Sequence, residues 1–243
     1  MPMKNRIFSM DSAKAIKARG YGYLNAIHYL APVSLAGVGN ICPHASPACA
    51  AACLGWTSGQ AGMVKSDDVI NSVRASRIEK TRRFMKDRTA YLRDVFRSIN
   101  LAHKKANAAD LRLCVRLNGS SDIAWEGVRL EGMSLFEWFN TIQFVDYTKS
   151  KRRALMHAQG LLPRNYHLTF SRSETNEADC LDVLRAGGTV AVVFETKPDT
   201  WHGFPVIDGD KHDLRHLDPR GVAVGLSPKG RKAKRDTSGF VVR

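Results

Sequence analysis

The sequence predicts an α/β fold, an incomplete (β/α) barrel-like parallel sheet accompanied by a long basic helix. From residue 110 onward, short apolar stretches typical of strands alternate with helical stretches of about ten residues, which is the pattern of successive βαβ units. Polar residues collect where the predicted strands end, as they do at the mouth of a (β/α) barrel. A doubly wound open sheet is the alternative, because the first units cannot be delimited clearly.

Length and composition are those of an ordinary globular protein, with 243 residues, of which 44% are hydrophobic and 25% charged. We expect one domain, 1–243, made of a cysteine-bearing N-terminal segment (1–65), a basic helical segment (66–106), and βα units with C-terminal strands (110–243). No apolar stretch is long enough to span a membrane, and the N-terminus lacks the apolar core of a secretion signal. We therefore expect a cytoplasmic protein.

The first segment is predicted to be rich in loops. Residues 1–40 show no clear periodicity, and three cysteines, Cys42, Cys49 and Cys53, follow with the spacing C-x6-C-x3-C. The glycine-rich stretch 55–62 is predicted to be a loop that connects them to the helical segment.

In the second segment, apolar residues recur at helical spacing. Ser66, followed by two aspartates, has the character of a helix N-cap, and the periodicity predicts one long helix or two with a break near Asp87. The other face is basic and is either a solvated face or a nucleic-acid contact. Its cations are Arg74, Arg77, Lys80, Arg82, Arg83, Lys86 and Arg88.

The third segment is predicted to alternate strands and helices. The strands are expected within 111–119, 142–150, 165–174, 189–195 and 221–226, and the helices within 134–141, 150–161 and 177–188. Parallel strands place their carboxyl ends at one edge, where chemistry is usually found in such folds. The polar residues at these strand ends, Arg116, Asn118, Asp122, Lys149 and Arg172, are therefore predicted to line a pocket.

The cysteines predict a metal or cluster site. Five cysteines in a cytoplasmic protein favour metal binding or a reactive thiol over disulfides. Zinc sites usually combine two close ligand pairs, and no second pair is visible, although His44 lies nearby. Three thiolates with one position left over suit an iron–sulfur cluster, of which [4Fe-4S] is the expected form. Zinc and three buried thiols are the alternatives.

The fourth position of such a cluster stays open at this stage. Cys114 lies in a predicted strand and Cys180 in a predicted helix, so that either is a candidate ligand or a small core residue. Without a fourth protein ligand, one iron would be free to bind substrate or a cofactor, as in cluster-dependent enzymes.

Near the C-terminus, acidic and basic residues are interleaved. Asp208, Asp210, Asp213 and Asp218, with His212, Arg215 and His216 between them, could supply a metal site or an acid–base pair. Alternatively, Asp208 and Asp210 are turn residues, and Asp213 with Arg215 braces a loop. The following stretch, 225–235, carries glycine and several cations and suits a phosphate group, but it lacks the spacing of a P-loop.

A known family resembles this sequence along nearly its whole length. The segments 42–55, 73–92, 115–125, 144–150, 168–174 and 206–230 resemble, in the same order, the phage-encoded "gene product eighty-eight" domain family. The resemblance covers residues 36–243, and its most specific parts are the cysteine segment and the stretch "DGDKHDLRHLDP". It implies a phage origin and a shared cysteine site, but no activity.

The chain also resembles the radical-enzyme barrels that use S-adenosylmethionine, because three cysteines precede a series of βα units. Those enzymes have the spacing C-x3-C-x2-C, and this departure weighs against S-adenosylmethionine as a cofactor.

Two functions therefore remain open. The first is an iron–sulfur-dependent enzyme whose open iron binds substrate among the polar strand ends. The second is a nucleic-acid-binding or nucleotide-binding protein whose cluster is structural or redox-sensing. The net charge of +14 supports the second, because such an excess attracts polyanions in a salt-dependent manner.

Overall fold

The computed structural model describes residues 6–66 and 68–243 and has a ten-stranded, mostly parallel sheet. Its strands are β1 (Phe8–Ser9), β2 (Tyr23–His28), β3 (Arg112–Arg116), β4 (Gln143–Thr148), β5 (Tyr166–Ser171), β6 (Val190–Phe194), β7 (Thr200–Trp201), β8 (Phe204–Asp208), β9 (Ala223–Leu226) and β10 (Val241–Val242).

Nine α-helices are found in the same residues. They are α1 (Ala13–Arg19), α2 (Pro47–Ala51), α3 (Leu54–Thr57), α4 (Ser72–Lys86), α5 (Arg88–Asn107), α6 (Leu135–Trp138), α7 (Lys151–Ala158), α8 (Glu177–Arg185) and α9 (Gly230–Lys234). Across the described ranges, none of the helices has the length and apolar character needed to cross a membrane.

The strand order confirms the predicted α/β class and shows an open sheet. The order is β1-β2-β3-β4-β5-β6-β9-β8-β7, with β1 and β7 antiparallel to their neighbours and the other pairs in this path parallel. From β2 to β6 the order follows the chain without reversal, as in the wall of a barrel. The first and last strands of this path do not pair with each other, so the sheet does not close.

Helices of the βα units cover one face of the sheet. Along β3, Leu113 and Val115 belong to the main core under α4 and α5, whereas Cys114 between them packs with Val145 and Leu214 in a small cluster. Successive side chains of a strand point to opposite faces, so this small cluster lies on the other face of the sheet.

The prediction of a loop-rich N-terminus is confirmed in part for residues 6–40. Turns and irregular chain make up most of these residues, but they also contain β1, α1 and β2, which pairs with β1 on one side and β3 on the other; residues 1–5 lie outside the described part. Every residue of β2 is buried. A strand buried on both faces lacks the polar–apolar alternation that makes a strand legible in a sequence.

The helical segment is confirmed as two helices that meet at Asp87. This residue ends α4, and its side chain accepts a hydrogen bond from Ala90 N at 3.0 Å, which caps α5. The predicted start at Ser66 is wrong, because α4 begins at Ser72 with Asn71 as its N-cap. The aspartate at position 67 lies outside the described residues.

The last strand fills a gap in the sheet. Pairing between β5 and β6 stops at Ser171 and Ala191, and β10 pairs with β6 from Val193 onward. Since Val193 pairs with β9 on its other side, β10 takes the place that β5 leaves. The helix α9, between β9 and β10, is therefore attached to the sheet at both ends.

Candidate functional site

The three clustered cysteines lie in the segment that crosses the carboxyl edge of the sheet. Cys49 is in α2, and Cys53 is the N-cap residue of α3. Cys42 Sγ accepts a hydrogen bond from Val33 N at 3.4 Å and lies 3.7 Å from Ser120 O. Burial raises the pKa of Cys42 to about 11 and that of Cys53 to about 12, so both are thiols, not thiolates, at neutral pH.

The predicted iron–sulfur cluster is wrong. Within residues 6–66 and 68–243, no three His, Cys, Asp or Glu side chains are grouped so that they could hold a metal ion. The zinc alternative is wrong for the same reason.

The predicted fourth ligands are also distant from a common site. Cys114 packs against Tyr23 and Val145 on one face of the sheet, and Cys180 belongs to the core around α8 and Val190. Burial raises the pKa of both thiols. Each is a small core residue.

The side chains of Asn118 and Asp122, predicted to line a pocket, form hydrogen bonds within the protein. Asn118 Oδ1 accepts from Trp125 Nε1 at 3.0 Å and from Ser121 Oγ at 2.7 Å. Asp122 accepts from Thr148 Oγ1 at 2.8 Å and from Arg153 Nη1 at 2.7 Å. These bonds fix the loop after β3 against β4 and α7.

Lys149 and Arg172 lie next to β10. Lys149 Nζ donates to Ser171 Oγ at 2.8 Å. Arg172 Nη1 donates to Gly239 O at 2.7 Å, and its Nη2 pairs with Glu177 at 2.9 Å. Arg172 thus holds the chain that leads into β10.

The acidic stretch ties loops together at its start. Asp208 pairs with Lys197 Nζ, and Asp210 accepts from both Lys197 Nζ at 2.8 Å and Lys229 Nζ at 2.6 Å. Although burial raises it, the pKa of Asp210 is lowered far below its ordinary value by the hydrogen bonds from Lys197, Lys229 and Ser227. The bonds join the ends of β6, β8 and β9.

Further along, the same stretch lies against the sheet. Asp213 Oδ2 is 3.6 Å from Arg116 Nη1, and Arg215 Nη1 is 3.1 Å from Asp218 Oδ2. Burial works against the charge on Arg116, yet Asp213 raises the pKa of that guanidinium above its ordinary value. Burial raises the pKa of Asp218 to about 6. Arg215 and Asp213 are fully enclosed, so this cluster is an internal ion-pair layer.

Most of the basic face of α4 is turned into the protein. Arg74 is fully buried, donates to the carbonyl groups of Ala61, Val69 and Trp56, and lies 4.6 Å from the centre of the Trp56 ring. Arg77 stacks on Tyr29 at 4.6 Å. Through hydrogen bonds to Trp56 O and Gly55 O, respectively, Arg74 and Arg77 hold the chain that follows Cys53 against α4.

Glu174, which sequence reasoning missed, anchors the cysteine segment. Its carboxylate accepts from Ser46 Oγ at 2.7 Å and from Ala48 N at 3.0 Å, at the start of α2. Burial raises the pKa of Glu174, but these hydrogen bonds outweigh it and lower the pKa below the ordinary value. The available signal was its position directly after β5, the same criterion that selected Arg172.

A groove of about 820 Å³ lies between this segment and α9. One wall is α2 with the loop that carries Lys65, and the other is α9 with the residues after it. Its floor includes Ala48, Ala51 and Val64. Gly230, at φ +80°, starts α9 in a left-handed conformation, with Thr57 O only 3.5 Å from where a Cβ would lie.

Cations outnumber carboxylates in the groove. The cations are Lys65, Arg74, Arg231, Lys232 and Arg235, and the carboxylates are Glu174 and Asp236. Arg231 and Arg235 are exposed and one helical turn apart, and their side chains form no hydrogen bond or ion pair with any described residue. They are the groove's available donors.

The comparisons with known proteins give a family and nothing further. A family model described as Gene product 88 matches residues 6–243, which include the cysteine segment, Glu174 and α9. No curated protein matches the chain, and no solved structure does.

Proposed function

The chain belongs to the Gene product 88 family over a region that contains the entire groove, and we propose that the protein binds nucleic acid there, through the phosphate backbone. We place this binding in the cytoplasm of the cell in which the phage-type protein is made. No reaction is part of the proposal.

One observation carries it: Arg231 and Arg235 are unpaired guanidinium groups at the rim of a concave, basic groove. An arginine that is bonded to its own protein has little to offer a ligand. A guanidinium with free N–H groups can bind a phosphate in a bidentate manner. Lys65, exposed on the opposite wall, adds a further positive charge to the site.

The shape of the groove favours a single strand over a duplex. Phosphates of a single strand can follow the basic rim while bases or sugars lie against the alanine and valine floor. A duplex presents a convex, rigid surface, which a concavity of this size does not match. Recognition through the phosphates would be insensitive to sequence, because phosphate contacts carry no sequence information.

The net charge of +14 adds a long-range attraction for any polyanion. Binding should weaken steeply as salt rises, because neutralised phosphates release their counterions. This general term acts at every basic surface, so the experiment has to separate it from the groove.

The test is fluorescence anisotropy with a labelled single-stranded DNA of mixed sequence, over a series of salt concentrations. Arg231→Gln/Arg235→Gln should lower the affinity about tenfold and flatten the slope of log K against log salt by about 1.4, the value for two lost phosphate contacts. A duplex of the same sequence should bind more weakly than the single strand.

The matched control is Arg88→Gln/Arg152→Gln, which removes two charges outside the groove. Both arginines are exposed, and their side chains form no hydrogen bond or ion pair with a described residue. The control should keep most of the affinity. An equal loss in both double variants would attribute binding to overall charge and overturn the groove as the site, as would the absence of binding at low salt.

A further inference from the structure

A second cavity lies at the opposite edge of the sheet. It has a volume of about 420 Å³ and is formed by the starts of β2, β3 and β4 and by the residues before β5. The groove of the proposed function lies at the carboxyl edge, so the two sites are separate.

The cavity exists because β3 starts before its pairing with β4. Arg112 and Leu113 pair with Tyr23 and Leu24 of β2, whereas pairing with β4 begins only at Cys114. The side of β3 that would face β4 is therefore open at its first two residues. The turn 140–142 and the end of α5 surround this opening.

Two of its four amide side chains, Asn165 and Gln143, are hydrogen-bonded to the walls. Asn165 Nδ2 donates to the carbonyl groups of Phe136, Phe139 and Ile142 at 3.0–3.1 Å. Gln143 Nε2 donates to Phe144 O at 2.8 Å. These bonds fix the turn before β4, so the cavity is held open by hydrogen bonds within the protein.

Its charged side chains are uncommitted. Arg112 stacks over the Tyr23 ring at 4.2 Å, which leaves its N–H edge free, and Arg164 is exposed. Neither guanidinium group forms a hydrogen bond or ion pair with any described residue, and no described Asp or Glu lines the cavity. His103, from α5, lines the cavity as well.

From this arrangement we propose that the cavity binds the phosphate group of a small organic molecule. Two guanidinium groups with free N–H edges can hold a dianionic phosphate through several charge-assisted hydrogen bonds. The volume is that of a small-molecule site and too small for a folded partner. Leu111 and Ile142 supply apolar surface for the organic part of the ligand. The site is independent of nucleic-acid binding in the groove.

Isothermal titration calorimetry tests the proposal, with ribose 5-phosphate and adenosine 5′-monophosphate as probes and ribose, adenosine and citrate as controls. A phosphorylated probe should bind, and the two neutral controls should not. Arg112→Gln and Arg164→Gln should each weaken binding at least tenfold. Since Arg164 bonds no described residue, its variant should fold even if the Arg112 variant does not.

Two further variants locate the binding. Arg152→Gln, which removes an unpaired arginine elsewhere, and Arg231→Gln/Arg235→Gln, which alters the groove, should both bind the phosphorylated probe as the unchanged protein does. The proposal is overturned if neither phosphorylated probe binds at millimolar concentration, if citrate binds equally well, or if only the groove variant loses binding.

Discussion

The helices α4 and α9 are both basic, but their arginines are used differently. In α4, Arg74 is enclosed and bonded to three backbone carbonyl groups, and Arg77 is stacked on an aromatic ring. In α9 and directly after it, Arg231 and Arg235 are exposed and unbonded. The same residue type is an internal support in one helix and an available ligand-binding group in the other.

The difference shows that net charge is a poor guide to where a polyanion binds. Much of the arginine in this protein is bonded to its own carboxylates and carbonyl groups, as in the pairs of Arg153 with Asp122 and Glu126. The arginines that line the two cavities without a bonded partner are the ones to test. Supporting groups should affect stability, and available groups should affect binding.

Removing the support under the cysteine segment should have the largest effect. Arg74→Met keeps a long side chain against Trp56 but leaves three carbonyl groups without their donor, two of them in buried hydrogen bonds. We expect the free energy of unfolding in urea to fall by about 3 kcal/mol or more. A loss as small as that of Arg235→Met would mean that Arg74 is not a supporting group.

Acid should be the next strongest perturbation, through buried histidines. His28 accepts from Tyr91 at 2.7 Å and donates to Leu117 O at 3.0 Å, and burial lowers its pKa from 6.5 to about 3. Burial also lowers the pKa of His157 and of His216 to about 4. Below pH 6.5 these histidines bind protons in the unfolded chain but remain neutral in the folded protein. The stabilising contribution, complete above pH 6.5, is therefore lost as pH falls towards 3–4.

Two carboxyl groups act in the opposite direction and reduce the loss of stability at acidic pH. Burial raises the pKa of Asp146 to about 7 and that of Asp218 to about 6, so both bind protons in the folded protein first and favour it as pH falls. The histidine effect exceeds theirs, and stability should decrease from pH 6.5 to pH 4 in denaturation series. In His28→Gln the slope should be shallower by about 1.4 kcal/mol per pH unit. An unchanged slope would contradict the assignment.

Thiol chemistry should distinguish buried from accessible groups on a smaller scale. With pKa values near 11 and 12, Cys42 and Cys53 are almost entirely protonated at pH 8. We expect alkylation of Cys42 by iodoacetamide, followed by mass spectrometry, to be about a hundredfold slower than that of an unperturbed cysteine, and alkylation of Cys53 to be slower still. The denatured protein is the control, in which both should react at the ordinary rate. Fast reaction in the folded protein would show that the pKa values of these half-buried thiols are not raised.

The smallest effect on stability should come from the groove. Arg231→Gln/Arg235→Gln removes two exposed side chains without described partners, and its free energy of unfolding should change by less than about 0.5 kcal/mol. The same variant should lose nucleic-acid affinity. A large loss of stability would show that Arg231 and Arg235 support the fold, as Arg74 does, and would contradict the difference between α9 and α4.

The sequence predicted the regular elements well where periodicity was visible. The break at Asp87 was legible because one aspartate can end a helix and cap the next. The strand β2 was not, since burial on both faces removes the alternation. The cysteine spacing suggested a ligand set, but spacing does not specify the direction of each side chain. Whether an arginine is paired is likewise decided by distant segments, such as Ala61 and Trp56 for Arg74.

The attachment of α9 has a consequence for how a ligand would be received. A basic stretch on a free tail must lose conformational freedom when it meets its target, and that loss subtracts from affinity. Here α9, which carries Arg231, lies between β9 and β10, and both of these strands pair with β6. Arg172 also donates a hydrogen bond to Gly239 O, just before β10. The backbone of the rim is thus held on both sides, so engagement of a strand would cost less ordering entropy than it would for a free tail.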